Sequence, residues 1–180
     1  MKAWYFSAND KKLRYGDNRS IKAGRTHKVK GDIALCSHGL HASKRIFDAL
    51  SYSPGNYVWR VELGGNIIKG DDRMVATERT YLWGFNAEDL LRKFSRQCAL
   101  DVIHLWDAPD VVVQYLKTGD ESLRASAWDA AWDAAWDAAR AAAWASAWAS
   151  ARDAAWASAL DKSNRRLTSM VMAEKKRLGL

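Results

Sequence analysis

Residues 125–159 constrain the fold most strongly, because they contain 19 alanines and neither glycine nor proline. Alanine has the highest helix propensity of the amino acids, so this composition predicts a helix. We expect one long Ala/Trp-rich helix over residues 119–161. It would carry six of the chain's ten tryptophans: Trp128, Trp132, Trp136, Trp144, Trp148 and Trp156.

The spacing of these tryptophans predicts a spiral of rings around the helix. Each four-residue step overshoots a full helical turn by about 40°, so a flat surface could not cover all six rings. Large aromatic rings left in water would form an apolar patch. The segment therefore packs on the rest of the chain, folds back as shorter helices, or binds a second copy or a target protein. Its slight negative charge disfavours stacking on nucleic-acid bases.

Residues 1–85 carry strand and turn patterns that predict a small mixed or antiparallel β domain. The clearest strand is 57–63, which alternates its side chains and is flanked by the turn residues "SPGN" and "GGN". The apolar spacing of Ile46, Ala49 and Leu50 predicts a short helix. Further strand candidates are residues 4–6, 33–36, 66–70 and 79–85.

After residue 86 the patterns are helical. Asn86 is suited to cap a helix over residues 87–106, and Asp107 to cap a second helix that Gly119 ends. Asp120 could cap the long helix that follows. The sequence thus predicts an α+β fold in four parts: the β domain (1–85), a helical connector (86–118), the Trp/Ala helix (119–161) and a basic C-terminal helix or tail (162–180).

The net charge of +7 is distributed unevenly along the chain. Residues 1–80 hold 15 Lys/Arg against 8 Asp/Glu, and residues 161–180 hold 6 against 2. A basic surface attracts nucleotides, nucleic acid or an acidic protein. Two cysteines make no disulfide framework, the first ten residues lack the apolar core of a signal peptide, and no apolar run reaches about 18 residues. We expect a cytoplasmic protein with no membrane partner.

Motifs of known catalytic sites are absent from the sequence, including the P-loop and G-x-S-x-G. Cys36, His38 and His41 could in principle bind zinc, but the sequence lacks a second compact ligand cluster. We therefore expect no metal.

The front block nevertheless resembles the ADP-ribosyltransferase fold, nearest in layout to rifampin ADP-ribosyltransferases. The resemblance covers roughly residues 3–85 and rests on the segments "YFSAND", "LHAS", "ALSY", "WRVELGGNI" and "KGDD". It implies a domain that binds NAD and transfers ADP-ribose. The opening histidine of that family has no counterpart, since Phe6, Ser7 and Ala8 stand there.

The resemblance also implies candidate site residues. His41 takes the place of the stacking tyrosine, and RNA 2′-phosphotransferases of the same superfamily use histidines in such a site. A carboxylate would stabilise the positive charge that builds on ribose when the glycosidic bond breaks. The catalytic candidates are His41, Ser43, Asp71 and Glu78, with Asp72 as a further acid. The cofactor-binding candidates are Arg25, Lys44, Tyr52 and Arg60.

The whole chain is similar to a family of uncharacterised phage and bacterial proteins that share "RYGD", "HGLHAS", "RVEL" and "ATERT" and carry a variable Trp/Ala-rich tail. We therefore expect a phage-type accessory protein in the bacterial host cell that acts on a host or defence component. Its front domain would transfer ADP-ribose from NAD or hold the nucleotide. One alternative is a non-catalytic, anti-CRISPR-like inhibitor that binds through the tryptophans; the other is nucleic-acid binding through the basic front domain and tail.

Overall fold

The computed structural model describes residues 1–131 and 149–180, and for residues 149–157 it describes the backbone alone. These residues divide into two compact units. One unit combines Met1–Glu88 with Lys162–Leu180, and the other is Asp89–Asp161. The C-terminal segment thus belongs to the same unit as the strands, although about 70 residues of sequence separate them.

A five-stranded antiparallel sheet forms the first unit. Its backbone ladder runs in the order β1-β4-β5-β2, and β3 also pairs with β5. The strands are β1 (Lys2–Ser7), β2 (Thr26–Lys28), β3 (Leu40–Ala42), β4 (Tyr57–Lys69) and β5 (Met74–Asn86). The described residues therefore confirm an α+β fold with an antiparallel sheet.

The short strand β3 closes this sheet on itself. Leu40 pairs with Ala76 of β5, and Ser43 directly after β3 exchanges two backbone hydrogen bonds with Trp4 of β1, at 2.8 and 2.9 Å. The pairings β1–β4–β5–β3 consequently return to β1. The sheet curls around one interior, as in small barrels.

Apolar side chains fill this interior from every strand except β2, and the loop between β1 and β2 adds Leu13 and Ile21. Trp59 and Tyr81 meet edge to face at the centre, with ring centroids 5.4 Å apart. Burial of each large apolar side chain contributes about 1.5–3 kcal/mol, so the interior stabilises the curled sheet. The interior residues are Ala3, Leu13, Ile21, Leu40, Ala42, Trp59, Val61, Leu63, Met74, Ala76 and Tyr81.

The C-terminal helix (Ala149–Arg177) contributes two fully buried residues, Leu167 and Val171, to the first unit. Asn164 accepts a hydrogen bond from the backbone of Phe47 in α1 (Ile46–Ser51), at 3.3 Å. Lys175 lies 5.5 Å above the ring of Trp83 on β5. These contacts attach the end of the chain to the outer face of the sheet.

The second unit contains α2 (Glu88–Val102), α3 (Asp110–Thr118) and a helical segment over residues 124–131. Asn86 lies one residue before the N-cap position of α2, and its side-chain oxygen accepts a hydrogen bond from the backbone N–H of Glu88, the first residue of the helix, at 3.1 Å. Gly119 ends α3 with φ of 72°, as expected. Asp107 is not the cap of α3, because that position holds Pro109; Asp120 instead caps a short 3-10 turn (Glu121–Leu123).

Three strand predictions differ from the structure. Residues 33–36 form a turn rather than a strand, closed by a bridge between Ala34 and His38. The strands expected at 57–63 and 66–70 are one strand, β4, because a bulge between Gly64 and Ile67 absorbs the extra residue without ending the ladder. Gly65 has φ of +67° there, and a Cβ atom would lie 2.0 Å from Thr77 Oγ1.

The long helix predicted over 119–161 falls partly outside the described residues. Residues 124–131 and 149–161 are helical, and the second stretch continues to Arg177. Trp132, Trp136, Trp144 and Trp148 and the side chain of Trp156 lie outside the described part. A single continuous Ala/Trp helix remains a prediction.

We expect Leu167→Ala to lower the free energy of unfolding by about 2–5 kcal/mol, because it leaves a cavity at a fully buried position. Urea titration followed by circular dichroism measures the change. Met172→Ala on the same helix is the matched control, since Met172 is 45% exposed, and should cost less than about 0.5 kcal/mol. Equal effects of the two substitutions would contradict the packing described for this helix.

Candidate functional site

Arg79 on β5 is a buried charge in the interior of the curled sheet, with 2% of its surface exposed. Its Nε and Nη2 donate to the hydroxyl oxygen of Tyr81 at 3.0 and 2.7 Å, and Nη1 donates to the carbonyl oxygen of His41. The guanidinium lies 3.7 Å from the ring centroid of Tyr5. Arg79 faces inward because it pairs across the ladder with Leu63 of the interior.

No carboxylate among the described residues lies within ion-pair distance of Arg79. Arginine keeps its charge in proteins, and a buried charge without a counter-charge carries a large desolvation cost. The ring faces of Tyr5 and Tyr81 offset part of that cost. The guanidinium therefore retains an uncompensated positive charge inside the sheet.

Tyr81 and His27 complete this group of side chains. The oxygen of Tyr81 accepts two hydrogen bonds from Arg79, and it lies 3.3 Å from Nδ1 of His27 on β2. The remaining hydroxyl hydrogen of Tyr81 is thus directed to Nδ1, which places the proton of a neutral imidazole on Nε2. Nε2 is buried and has no hydrogen-bond partner among the described residues.

Burial lowers the pKa of His27, and the positive charges of Arg19 and Arg79 lower it further. Burial likewise raises the pKa of Tyr81, although Arg79 opposes this. Both side chains are therefore neutral at pH 7, and the charge of the group comes from Arg79. We refer to Tyr5, His27, Arg79 and Tyr81 as the Arg79 cluster.

His41 on β3 is half-buried next to this cluster. Its Nε2 accepts a hydrogen bond from the backbone N–H of Cys36 at 3.2 Å. Burial lowers the pKa of His41, followed by the positive charge of Arg79 and, to a smaller extent, that of Arg73. The structure therefore places the predicted site residue His41 as a neutral imidazole close to two arginines.

A second polar group lies at the exposed surface near Cys36. Tyr52 donates its hydroxyl hydrogen to Asp72, and Arg73 donates to Tyr52 at 2.5 Å and to Asp72 at 3.2 Å. The bond with Asp72 is the largest cause of a raised pKa at Tyr52, and Cys36 adds to it. Arg73 thus bonds to the predicted residue Tyr52, and its positive charge also acts on His41.

The structure places the other predicted catalytic residues in different surroundings. Ser43 is 2% exposed, and its backbone forms the bridge that closes the sheet. Asp71 is exposed in the turn between β4 and β5. Glu78 forms an ion pair with Lys28 at 2.7 Å, so a basic partner already compensates its charge.

The predicted cofactor-binding cations are also dispersed. Arg25 is exposed and donates to the carbonyl and hydroxyl oxygens of Ser20 at 2.8 and 2.7 Å. Lys44 is exposed. Arg60 lies on the outer face, 4.5 Å from the ring of Trp4, and burial lowers its pKa. A cation that does face the interior is Arg79, which is not among the residues predicted from the sequence.

The sequence contains one signal that could have identified this cluster. Arg79 and Tyr81 alternate within a strand and therefore share a face, and an arginine on the interior face of a strand is unusual. Deciding that this face is the interior requires the register of β4 against β5. The position of His27 opposite Arg79 depends on the pairing of β2 with β5, which the sequence does not reveal.

We expect the protein to lose stability as the pH falls. Because the folded pKa values of His27 and His41 lie below 6.5, the unfolded chain binds more protons than the folded chain below about pH 6.5. The free energy of unfolding should decrease between pH 6.5 and 5.5, by at most about 1.4 kcal/mol per pH unit for each histidine.

Urea titrations at pH 7.5, 6.5 and 5.5 measure this dependence, and His27→Gln should make it shallower. His104→Gln is the control, because His104 is exposed in the second unit. If the free energy of unfolding depends on pH equally steeply in His27→Gln and in the unmodified chain, the lowered pKa of His27 would be contradicted.

Among the described residues, no three His, Cys, Asp or Glu side chains gather into a group that could hold a metal ion, and this includes Cys36, His38 and His41. In the same part of the chain, none of the helices has the length and apolar character needed to cross a membrane.

Part of this chain matches a protein-family model. Neither the curated proteins nor the solved structures include a match to this chain. Residues 8–93 match the family model described as "Domain of unknown function (DUF7666)". The matched region contains His27, His41, Arg79 and Tyr81, so both polar groups of the sheet lie within or at the edge of that domain.

Proposed function

We propose that the curled sheet binds a phosphate-bearing nucleotide of the NAD type. The observation that carries this proposal is the position of His41, a half-buried residue on β3 whose carbonyl oxygen accepts a hydrogen bond from the buried guanidinium of Arg79. An imidazole can stack against a base or ribose, and guanidinium groups pair with phosphate oxygens. The resemblance of residues 3–85 to ADP-ribosyltransferases supports the same class of ligand.

The acidic residues favour binding of the nucleotide over transfer of ADP-ribose. Transfer would break the glycosidic C–N bond, release nicotinamide and develop positive charge on the ribose, which a free carboxylate would stabilise. Asp72 and Glu78 each have a basic partner, at 3.2 and 2.7 Å. Asp71 is exposed in a turn. We therefore propose a protein that holds the nucleotide, with turnover as the alternative outcome of the experiment below.

The setting we propose is that of a phage-type accessory protein that acts on a host or defence component in the cytoplasm of a bacterial cell. The shared segments "RYGD", "HGLHAS", "RVEL" and "ATERT" support this setting. A nucleotide-holding domain would sequester a signal or cofactor that such a component requires.

We expect His41→Ala to weaken binding of NAD at least about fivefold, which corresponds to about 1 kcal/mol. Isothermal titration of the full chain with NAD measures this, and mass spectrometry of the mixture detects any released nicotinamide. His104→Ala is the matched control and should retain the affinity of the unmodified chain. Absence of NAD binding, or equal affinity in both variants, would refute the proposal.

A second candidate function is protein binding through the Trp/Ala segment. Trp128 is 69% exposed, which is unusual for the largest apolar side chain. It begins the series of six tryptophans, whose later members lie outside the described side chains. An exposed aromatic at the start of such a series favours a surface for a host or defence protein, or for a second copy.

The two functions predict opposite results for two variants. The first variant combines Trp128→Ala with Trp132→Ala and Trp136→Ala. It should abolish binding of a host protein, or self-association measured by light scattering, and its affinity for NAD should be unchanged. His41→Ala should retain the partner and lose NAD. A triple tryptophan variant that still assembles normally would exclude this surface.

A further inference from the structure

We propose that Arg79 and His27 form a binding site for a phosphoryl group inside the curled sheet. This site would take the phosphate of the nucleotide proposed above, and in that respect it rests on the proposed function. The inference itself follows from hydrogen-bond directions, charge and access within the first unit, and free phosphate compounds can test it separately.

The Arg79 cluster has hydrogen-bond donors that no acceptor in the cluster satisfies. The hydroxyl oxygen of Tyr81 accepts two hydrogen bonds from Arg79, and its hydroxyl hydrogen is directed to Nδ1 of His27. The proton on Nε2 of His27 then has no acceptor among the described residues, although the side chain is 96% buried. A buried donor without an acceptor costs about 1–3 kcal/mol. A ligand oxygen would remove that cost.

The charged groups around His27 are mostly positive. Arg79 has no acidic partner in the described part of the chain, and the charges of Arg19 and Arg25 also act on His27. Arg19 is paired with Asp17 at 2.6 Å, whereas Arg25 bonds to the neutral oxygens of Ser20. The surroundings of His27 are thus net positive. An anion is the ligand that compensates both the charge and the free donor.

Access to the Arg79 cluster depends on Tyr5. Arg79 and His27 are 2% and 4% exposed, so a ligand reaches them only where a covering side chain moves. The ring of Tyr5 covers the guanidinium and contacts Tyr81, yet Tyr5 itself is only half-buried. A phosphoryl group that displaces this ring would meet Nη1 and Nη2 of Arg79, and each of these nitrogens keeps one hydrogen that no described residue accepts.

A purely structural role explains only part of this arrangement. The bond from Arg79 to the carbonyl oxygen of His41 holds β3, and the rings of Tyr5 and Tyr81 support the guanidinium. Neither contact uses Nε2 of His27 or compensates the charge of Arg79. The anion site explains both features with one ligand.

The test is isothermal titration of the full chain with sodium pyrophosphate, inorganic phosphate, ADP-ribose and nicotinamide riboside, which lacks phosphate. We expect the three phosphate compounds to bind and to raise the melting temperature, because a ligand of the folded state stabilises it. Nicotinamide riboside should bind at least about tenfold more weakly than ADP-ribose.

Two substitutions locate the site. His27→Leu removes the donor but preserves an apolar, buried side chain, and it should weaken pyrophosphate binding about tenfold. Arg79→Lys retains a charge without the planar fork and should weaken it further. Lys176→Gln, at an exposed position on the C-terminal helix, is the matched control and should change affinity less than about threefold. A melting curve of each variant verifies that it folds. If Arg79→Lys does not fold, the result for His27→Leu alone decides the test.

The results separate this site from the proposed function. Pyrophosphate binding that is lost in His27→Leu supports the site even if NAD does not bind, and then the nucleotide proposal fails alone. NAD binding that needs His41 but is unaffected by His27→Leu refutes the site and leaves the nucleotide proposal standing. Absence of binding by every phosphate compound, or equal binding by His27→Leu and the control, also overturns the site.

Discussion

Ser43 and Trp4 exchange two backbone hydrogen bonds, at 2.8 and 2.9 Å, that return the strand ladder from β3 to β1. The curl of the sheet depends on this bridge, because without it β3 would pair with β5 alone and the sheet would remain open. Because the sheet is closed, one face of every strand lies towards a shared interior. It also explains why Ser43 is buried, and the contact of its backbone shows a structural role for this residue.

Arg79 links the closed sheet to the candidate site. Its bond to the carbonyl oxygen of His41 fixes the strand that carries the imidazole, and its charge helps to lower the pKa of that imidazole. The same guanidinium is placed against Tyr5 and Tyr81, which are contributed by different strands. A single buried cation thus connects the geometry of β3, the protonation state of His41 and the polar interior. Natural proteins retain such costly groups where a ligand or a specific arrangement requires them.

Local patterns in the sequence predicted several elements correctly. Alternation at 57–63 and the aromatic and β-branched residues at 79–85 gave the two long strands, and the spacing of Ile46 and Ala49 gave α1. Asn86 and Gly119 marked helix ends because capping depends on one or two neighbouring residues. The strands β2 and β3 contain three residues each, and so short a segment has no detectable period. The opposite case is residues 33–36, whose apolar residues predict a strand that the structure does not form. Apolar residues alone do not supply a strand partner.

The amino-acid sequence by itself determined the α+β class, the presence of strands at 57–63 and 79–85, the helix ends and the Ala/Trp composition of residues 125–159, because each depends on residues close together in the chain. Only the tertiary structure decided that His27 lies opposite Arg79, 52 positions along the chain, and that no described carboxylate accompanies the guanidinium. It alone decided that Leu167 and Val171 are buried in the unit that contains the strands. Strand register and long-range packing set these features, and they arise from the free energy of the whole closed sheet rather than from any local segment.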